Sequence, residues 1–291
     1  MTKLFILGAI FIVISSCVSV NAYTFEQKKV VHGHILYVGG GGPGNYTTIQ
    51  GAISAANDGD TIFVYHRSMP YYENVVIDKT ITLSGEDRNS TIIDGNGTGD
   101  VIHLFPSSER TTISGFTIQN SGIPGFLGGI TIQNQGSNIV KGNIITKNWN
   151  GITIYYSNDN TITENIITGN DDGIQILGSN NSVIGNVIQN LEIDDSHYNR
   201  VVGNLIIGNL LLYGRCGLNV VSKNNLERGA SFQLIPGAGP VRNEWDNNFW
   251  NRTRILPKPI FGMLMWGDST ENRIPWVQFD RHPAQKPFDI G

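Results

Sequence analysis

The chain has 291 residues, a formal net charge of −4, 15% charged side chains and 35 glycines. A slightly acidic surface offers no footprint for nucleic acid, which excludes that class of partner. So few charges and so much glycine disfavour a helical protein and suit short strands joined by tight turns.

Residues 1–22 read as a secretory signal peptide: Lys3 precedes an apolar run from Leu4 to Ile14, and small residues end at Val20-Asn21-Ala22. The protein is therefore expected to be secreted or held at the cell surface. Ile14-Ser15-Ser16-Cys17 also resembles a lipoprotein cleavage box, which would leave Cys17 lipidated as an anchor. After cleavage at Ala22, Cys216 is the one remaining cysteine and no stretch is long enough to span a membrane.

Residues 23–59 hold an opening strand, Ile35-Leu36-Tyr37-Val38, then a glycine-rich loop and a short helix. Thr47-Thr48-Ile49-Gln50 reads as a capping box, with Ile49, Ala52, Ile53 and Ala56 on one helix face and Asp58-Gly59 as the stop. Such a helix suits a lid on the open end of a stack of strands.

Residues 60–234 are a run of short β segments, beginning with Thr61-Ile62-Phe63-Val64, Val75-Val76-Ile77, Ile81-Thr82-Leu83, Ile92-Ile93 and Val101-Ile102-His103-Leu104. A repeat then surfaces in the register Asn143, Asn165, Asn186, Asn204, Asn225, at spacings of 22, 21, 18 and 21. A second register keeps step with it. Gly129-Ile130-Thr131-Ile132, Gly151-Ile152-Thr153-Ile154 and Gly173-Ile174-Gln175-Ile176 recur every 22 residues, and Leu191-Glu192-Ile193 follows after 18. Ile-x-Ile sends two branched side chains inward and one polar residue outward, so stacked coils bury a column of isoleucines. Nineteen of residues 134–225 are Asn, which suits left-handed corners whose side-chain amides bond from coil to coil. Residues 235–291 lose the repeat and carry Trp245, Phe249, Trp250, Phe261, Trp266, Trp276 and Phe279, an aromatic cap for the last coil. The expected fold is all-β: a single right-handed parallel β-helix with an N-terminal capping helix and a C-terminal cap, acting as a monomer.

With these repeats in view the chain resembles the pectin-lyase-type β-helix proteins, above all the NosD-like group often described as periplasmic copper-binding. Gly142-Asn143-Ile144-Ile145 followed by Gly151-Ile152-Thr153-Ile154 is similar to that group's coils. The segment 46–95 resembles the first coils of pectin methylesterases and of archaeal surface β-helix proteins, whose tails Trp250-Asn251 and IPWVQFDRHPA also resemble. The resemblance implies the fold; for function the first reading is an exported non-catalytic module that binds extracellular glycan or another envelope component through its polar wall, the alternatives being a polysaccharide lyase or hydrolase and, as the NosD-like resemblance implies, a maturation factor for an extracytoplasmic copper enzyme. No esterase Gln-Asp-Thr string and no polygalacturonase Gly-His-Gly occurs; His32-Gly33-His34 is the nearest approach.

The outward slots Thr131, Thr153, Gln175 and Glu192 form a polar ladder about 4.8 Å per coil, with Trp149, Tyr155 and Tyr156 beside it, an arrangement that suits an extracellular polysaccharide or envelope glycan. Asp171-Asp172 precedes the Gly-Ile strand in a turn slot and Asp194-Asp195 follows one, so the two pairs are expected at opposite ends of the wall and neither is assigned catalysis. Asp194, Asp195 and His197 offer oxygen and imidazole ligands to a divalent cation, the one cofactor the chain suggests. A copper site would need clustered soft donors; His32 with His34, and Met263 with Met265, each lack a third ligand nearby.

Overall fold

The computed structural model describes residues 33–123, 127–134, 136–236, 241–265 and 273–290, within one compact unit of residues 32–291. Residues 1–22, expected to be a signal peptide, with Cys17 among them, and also His32 and Trp266 lie outside the described residues.

The unit is a right-handed parallel β-helix with three walls. One wall stacks Val75–Ile77, Ile102–Leu104, Gly128–Gln133, Asn150–Tyr155, Asp172–Leu177, Leu191–Asp194, Asn209–Gly214 and Gly229–Leu234, all parallel. A second begins with the opening strand Ile35–Val38 and Thr61–Val64 and runs to Glu244–Asp246. The third is an eight-stranded sheet of very short strands from Tyr71–Tyr72 to Asn225–Leu226. Ile130, Ile152, Ile174 and Leu191 stack in register, as do Ile132, Ile154, Ile176 and Ile193, all buried. The isoleucine columns expected from Ile-x-Ile are therefore the core. The last step of the outward ladder, Gln175 to Glu192, spans 17 residues, because that coil has a shorter corner.

The glycine before each Ile-x-Ile has a steric cause. A Cβ on Gly151 would sit 2.5 Å from the Gly173 carbonyl oxygen and 2.5 Å from Ile167 Cγ2. That position points inward, so Asn150 and Thr153 are both on the outer side of the strand and two consecutive residues, 151 and 152, face the core.

The asparagines form ladders, with one change to the expected geometry. Asn143 donates its backbone N–H (2.9 Å) and its Nδ2 (3.1 Å) to Asn165 Oδ1, and the same double bond repeats through Asn186, Asn204, Asn224 and Asn248. A second ladder runs Asn138, Asn160, Asn181, Asn199, Asn219, Asn243. The left-handed residue is not the ladder Asn but the one before it: Gly142, Glu164, Gly185, Gly203, Lys223 and Asn247 all have positive φ. Asn224, not Asn225, is the ladder member, since Asn225 turns its amide to the Phe288 backbone.

The lid helix is Ile49–Ala55, with Thr48 rather than Thr47 as its N-cap, accepting from Gly51 N–H. Gln50 does not reach back; its amide bonds Val76. Instead Glu73 accepts from Ile49 and Gln50 N–H at 2.9 Å each, while Lys79 Nζ donates to the carbonyls of Ile53, Ser54 and Ala56. The next coil thus supplies an anion to the positive end of the helix and a cation to its negative end. At the other end the cap is an antiparallel hairpin of Lys258–Met265 and Arg273–Asp280, the first strand continuing one wall and Asp280 joining the other through Trp245.

Candidate functional site

The ladder proposed from sequence exists in register, and it extends further: Val76, His103, Thr131, Thr153, Gln175, Glu192, Leu211 and Ser231 stand on successive rungs. Its exposure differs from expectation. Thr131 is 5% exposed and Thr153 0%, because both hydroxyls are engaged by neighbours on the same face. Thr131 Oγ1 donates to Asp100 Oδ1 at 2.6 Å, and Asn150 Nδ2 donates to Thr153 Oγ1 at 3.1 Å. These two threonines are buried in the wall and cannot line it. Gln175 and Glu192 remain half-buried and reachable.

The N-terminal rungs carry a second polar group, built on Asp100 and His103. Asp100 Oδ1 also accepts from Gly128 N–H (2.7 Å), and its Oδ2 lies 2.6 Å from His103 Nδ1, fixing the imidazole against the Phe105 ring at 4.4 Å between centroids. His103 Nε2 is buried without a hydrogen-bond partner. The clue was present: His103 is the polar middle of Val101-Ile102-His103-Leu104, one coil before Thr131.

Toward the C-terminal end one rung, Glu192, feels two other carboxylates. Burial pushes the Glu192 carboxyl above the ordinary range, and Asp194 and Asp172 push it further in the same direction. Asp194 is raised by its own burial and by Asp195. Asp172 and Asp194, expected at opposite ends of the wall, therefore both act on the one residue between them. Asp195 Oδ1 instead accepts from Arg215 N–H at 2.7 Å, and His197 Nδ1 lies against the Gly217 backbone. Among the described residues no three His, Cys, Asp or Glu side chains converge on a point where a metal ion could sit, so Asp194, Asp195 and His197 are not brought together.

The aromatic residues divide between two places. Trp149 precedes the strand and Tyr155 ends it, a separation of roughly 20 Å along a strand. Half-buried Trp149 is tied by its backbone N–H to Ser121 Oγ. Tyr155 and Tyr156 hold their rings 4.4 Å apart at 56°. Tyr156 is 64% exposed and its φ is +49°, a region that bulky side chains avoid. It borders a corner groove of about 290 Å³ whose other walls include Arg110, Asn134, Ser137, Asn158 and Asp159. A larger cleft of about 720 Å³ lies at the C-terminal cap between Trp245 and Trp276, with Arg242, Glu244 and Phe279 on its sides.

Residues 53–262 match the family described as periplasmic copper-binding protein (NosD). The chain belongs to the NosD family. That family is extracytoplasmic, and among the described residues of this member no helix is long and apolar enough to cross a membrane. No curated protein matches the chain. Among solved structures it is similar to ORF18 of Geobacillus virus E2 (14% identity, TM-score 0.49), covering 79% of this chain and 59% of the viral protein. It is also similar to the catalytic domain of an α-1,3-glucanase in complex with tetrasaccharides (12%, TM-score 0.39; 82% of this chain, 65% of that one). A third is a pectin methylesterase mutant in complex with a hexasaccharide (13%, TM-score 0.36; 85% and 92%).

The copper in the NosD description can be tested against this member's donors. Cys216 is buried, its thiol pushed up to about 12 by desolvation, and it donates to the Tyr213 and Ile193 carbonyls, which is no thiolate ligand. His34, His66, His103 and His282 each face a different carboxylate, on Asp60, Glu86, Asp100 and Asp246. Met263 is exposed and Met265 buried on the same strand. The described residues of this NosD-family chain do not fit a copper site.

Proposed function

We propose that this protein is an exported, non-catalytic β-helix module that binds a neutral extracellular polysaccharide or envelope glycan at the corner headed by Tyr155 and Tyr156. The observation that carries this reading is Tyr156: a large aromatic ring held outward at positive φ beside a polar groove. Solvent-facing aromatics next to amide, hydroxyl and carboxylate groups supply the stacking and hydrogen bonds that saccharide rings use. Gln175 and Glu192 continue hydrogen-bonding capacity along the adjoining wall, where a linear chain could follow the rungs. A lyase or hydrolase reading would rest on Asp172, Glu192 and Asp194.

One titration separates the readings. The mature protein, Tyr156→Ala and Trp276→Ala are titrated with neutral and acidic polysaccharides while reducing and unsaturated ends are assayed. Affinity weakened about three- to tenfold by Tyr156→Ala alone, without turnover, is the expected result. Loss with Trp276→Ala instead would move the site to the cap cleft, and turnover abolished by Glu192→Gln would replace binding with catalysis.

A further inference from the structure

Cations gather at one place in the fold with a single exposed carboxylate at its edge. Where the last coil of the solenoid runs into the cap, Arg228, Arg254, Lys258 and Trp250 line a small cavity of about 190 Å³. Lys258 Nζ lies 5.6 Å over the Trp250 ring, and both Lys258 and Arg254 are half-buried. The four ion pairs among the described residues all involve a histidine, and none includes Arg228, Arg252, Arg254 or Lys258. Glu227 also borders the cavity, but it is exposed and forms no ion pair with these cations.

Two further facts distinguish the arrangement. Arg254 Nε is buried and has no hydrogen-bond partner, a charged donor left unsatisfied, which proteins seldom tolerate. Lys258 is pushed below the usual ammonium range by desolvation first, and then by the nearby Arg254 and Arg252. Like charges are thus crowded at some cost to the folded state. The Arg254 backbone is itself pinned, its carbonyl accepting from Gln285 Nε2 while the neighbouring Thr253 hydroxyl bonds the Gln285 carbonyl at 2.8 Å. The guanidinium therefore projects from a fixed point of the cap.

We propose that this cavity is a binding site for a tetrahedral oxyanion, sulfate or phosphate, either free or carried as a substituent on a glycan. A small polar cavity admits such a group with a few waters. The Arg254 and Arg228 guanidiniums and the Lys258 ammonium that line it are the donors such anions take. The glycan-borne form builds on the proposed function; the free-anion form stands without it.

Isothermal titration of inorganic sulfate and phosphate into the full chain tests the site, with chloride at matched ionic strength as the control. Saturable binding is expected, weakened about tenfold or more in Arg254→Gln and Lys258→Gln, as loss of a charge-assisted hydrogen bond implies. Arg228→Gln, on an exposed segment where folding is not at risk, should weaken it too, and Lys141→Gln, on a strand of another wall, should not. A sulfated polysaccharide that binds more tightly than the free ion, through the same residues, identifies the glycan-borne source; equal response to sulfated and unsulfated polymers identifies the free ion. Absence of saturable binding, or equal binding in all four variants, overturns the proposal. Tyr156→Ala leaves sulfate binding unchanged on this account, so failure here and failure of the neutral-glycan site are read from different variants.

Discussion

Asn248 donates both its backbone N–H (3.0 Å) and its side-chain Nδ2 (3.1 Å) to one carboxylate oxygen of Asp280. Every earlier rung of that ladder passes two donors to an amide oxygen of the next coil, so the final rung presents donors with no further Asn to receive them. A buried carboxylate at that end accepts them and, in addition, Trp250 Nε1 (2.9 Å) and the N–H groups of Asn247 and His282. Asp280 is the anionic terminus of a polarised hydrogen-bond chain.

Asp280→Asn should therefore destabilise the protein by about 2–4 kcal/mol, because its amide turns one acceptor oxygen into a donor facing other donors. Urea unfolding checks this; a midpoint equal to wild type would remove Asp280 from its role.

Gly151→Ala adds a single methyl, at 2.5 Å from a backbone oxygen of the next coil. The neighbour is main chain and cannot swing away, so a cost of about 2–3 kcal/mol is expected, near the top of the range for overpacking. Gly142→Ala makes a useful contrast. Its φ is +64° but nothing lies within 4 Å of the added carbon, so the penalty there is conformational, about 1 kcal/mol.

Tyr156→Asn should separate stability from binding. Asn accepts positive φ more readily than Tyr, so the variant is expected to unfold at an equal or higher denaturant concentration, by up to about 1 kcal/mol, while glycan affinity falls. Parallel losses in both measurements would show that the ring serves packing.

Glu192 provides a pH test. Its carboxyl is raised in the folded state, by burial and then by Asp194 and Asp172, so the folded protein holds this proton more tightly than the unfolded chain. Stability from this group is fully present below the ordinary carboxylate pKa and is lost as pH rises through the raised value. Glu192→Gln should accordingly raise the melting temperature at pH about 7 and lose that advantage near pH about 4. A gain that is constant across this range would assign the effect to packing instead.

The coil architecture was legible in the residues themselves. Ile152 and Ile154, Gly151, and the asparagine period all report a pattern repeated within one coil, and a two-residue alternation sets inside against outside wherever a strand forms. The polar ladder from Thr131 to Glu192 was legible for the same reason. What the residues could not decide is what stands one coil away, since that depends on corner lengths. Glu73 and Lys79 cap a helix more than 20 residues behind them, Asn224 displaces Asn225 by a single position, and Asp100 buries the Thr131 hydroxyl from the preceding coil. Asp172 and Asp194 come to bear on Glu192 for that reason, and Arg228 meets Arg254 and Lys258 only because the chain folds back over the last coil. Local sequence determined the coil; the tertiary stacking of unequal coils decided which side chains share a site, because contacts in a solenoid run between coils, across the chain rather than along it.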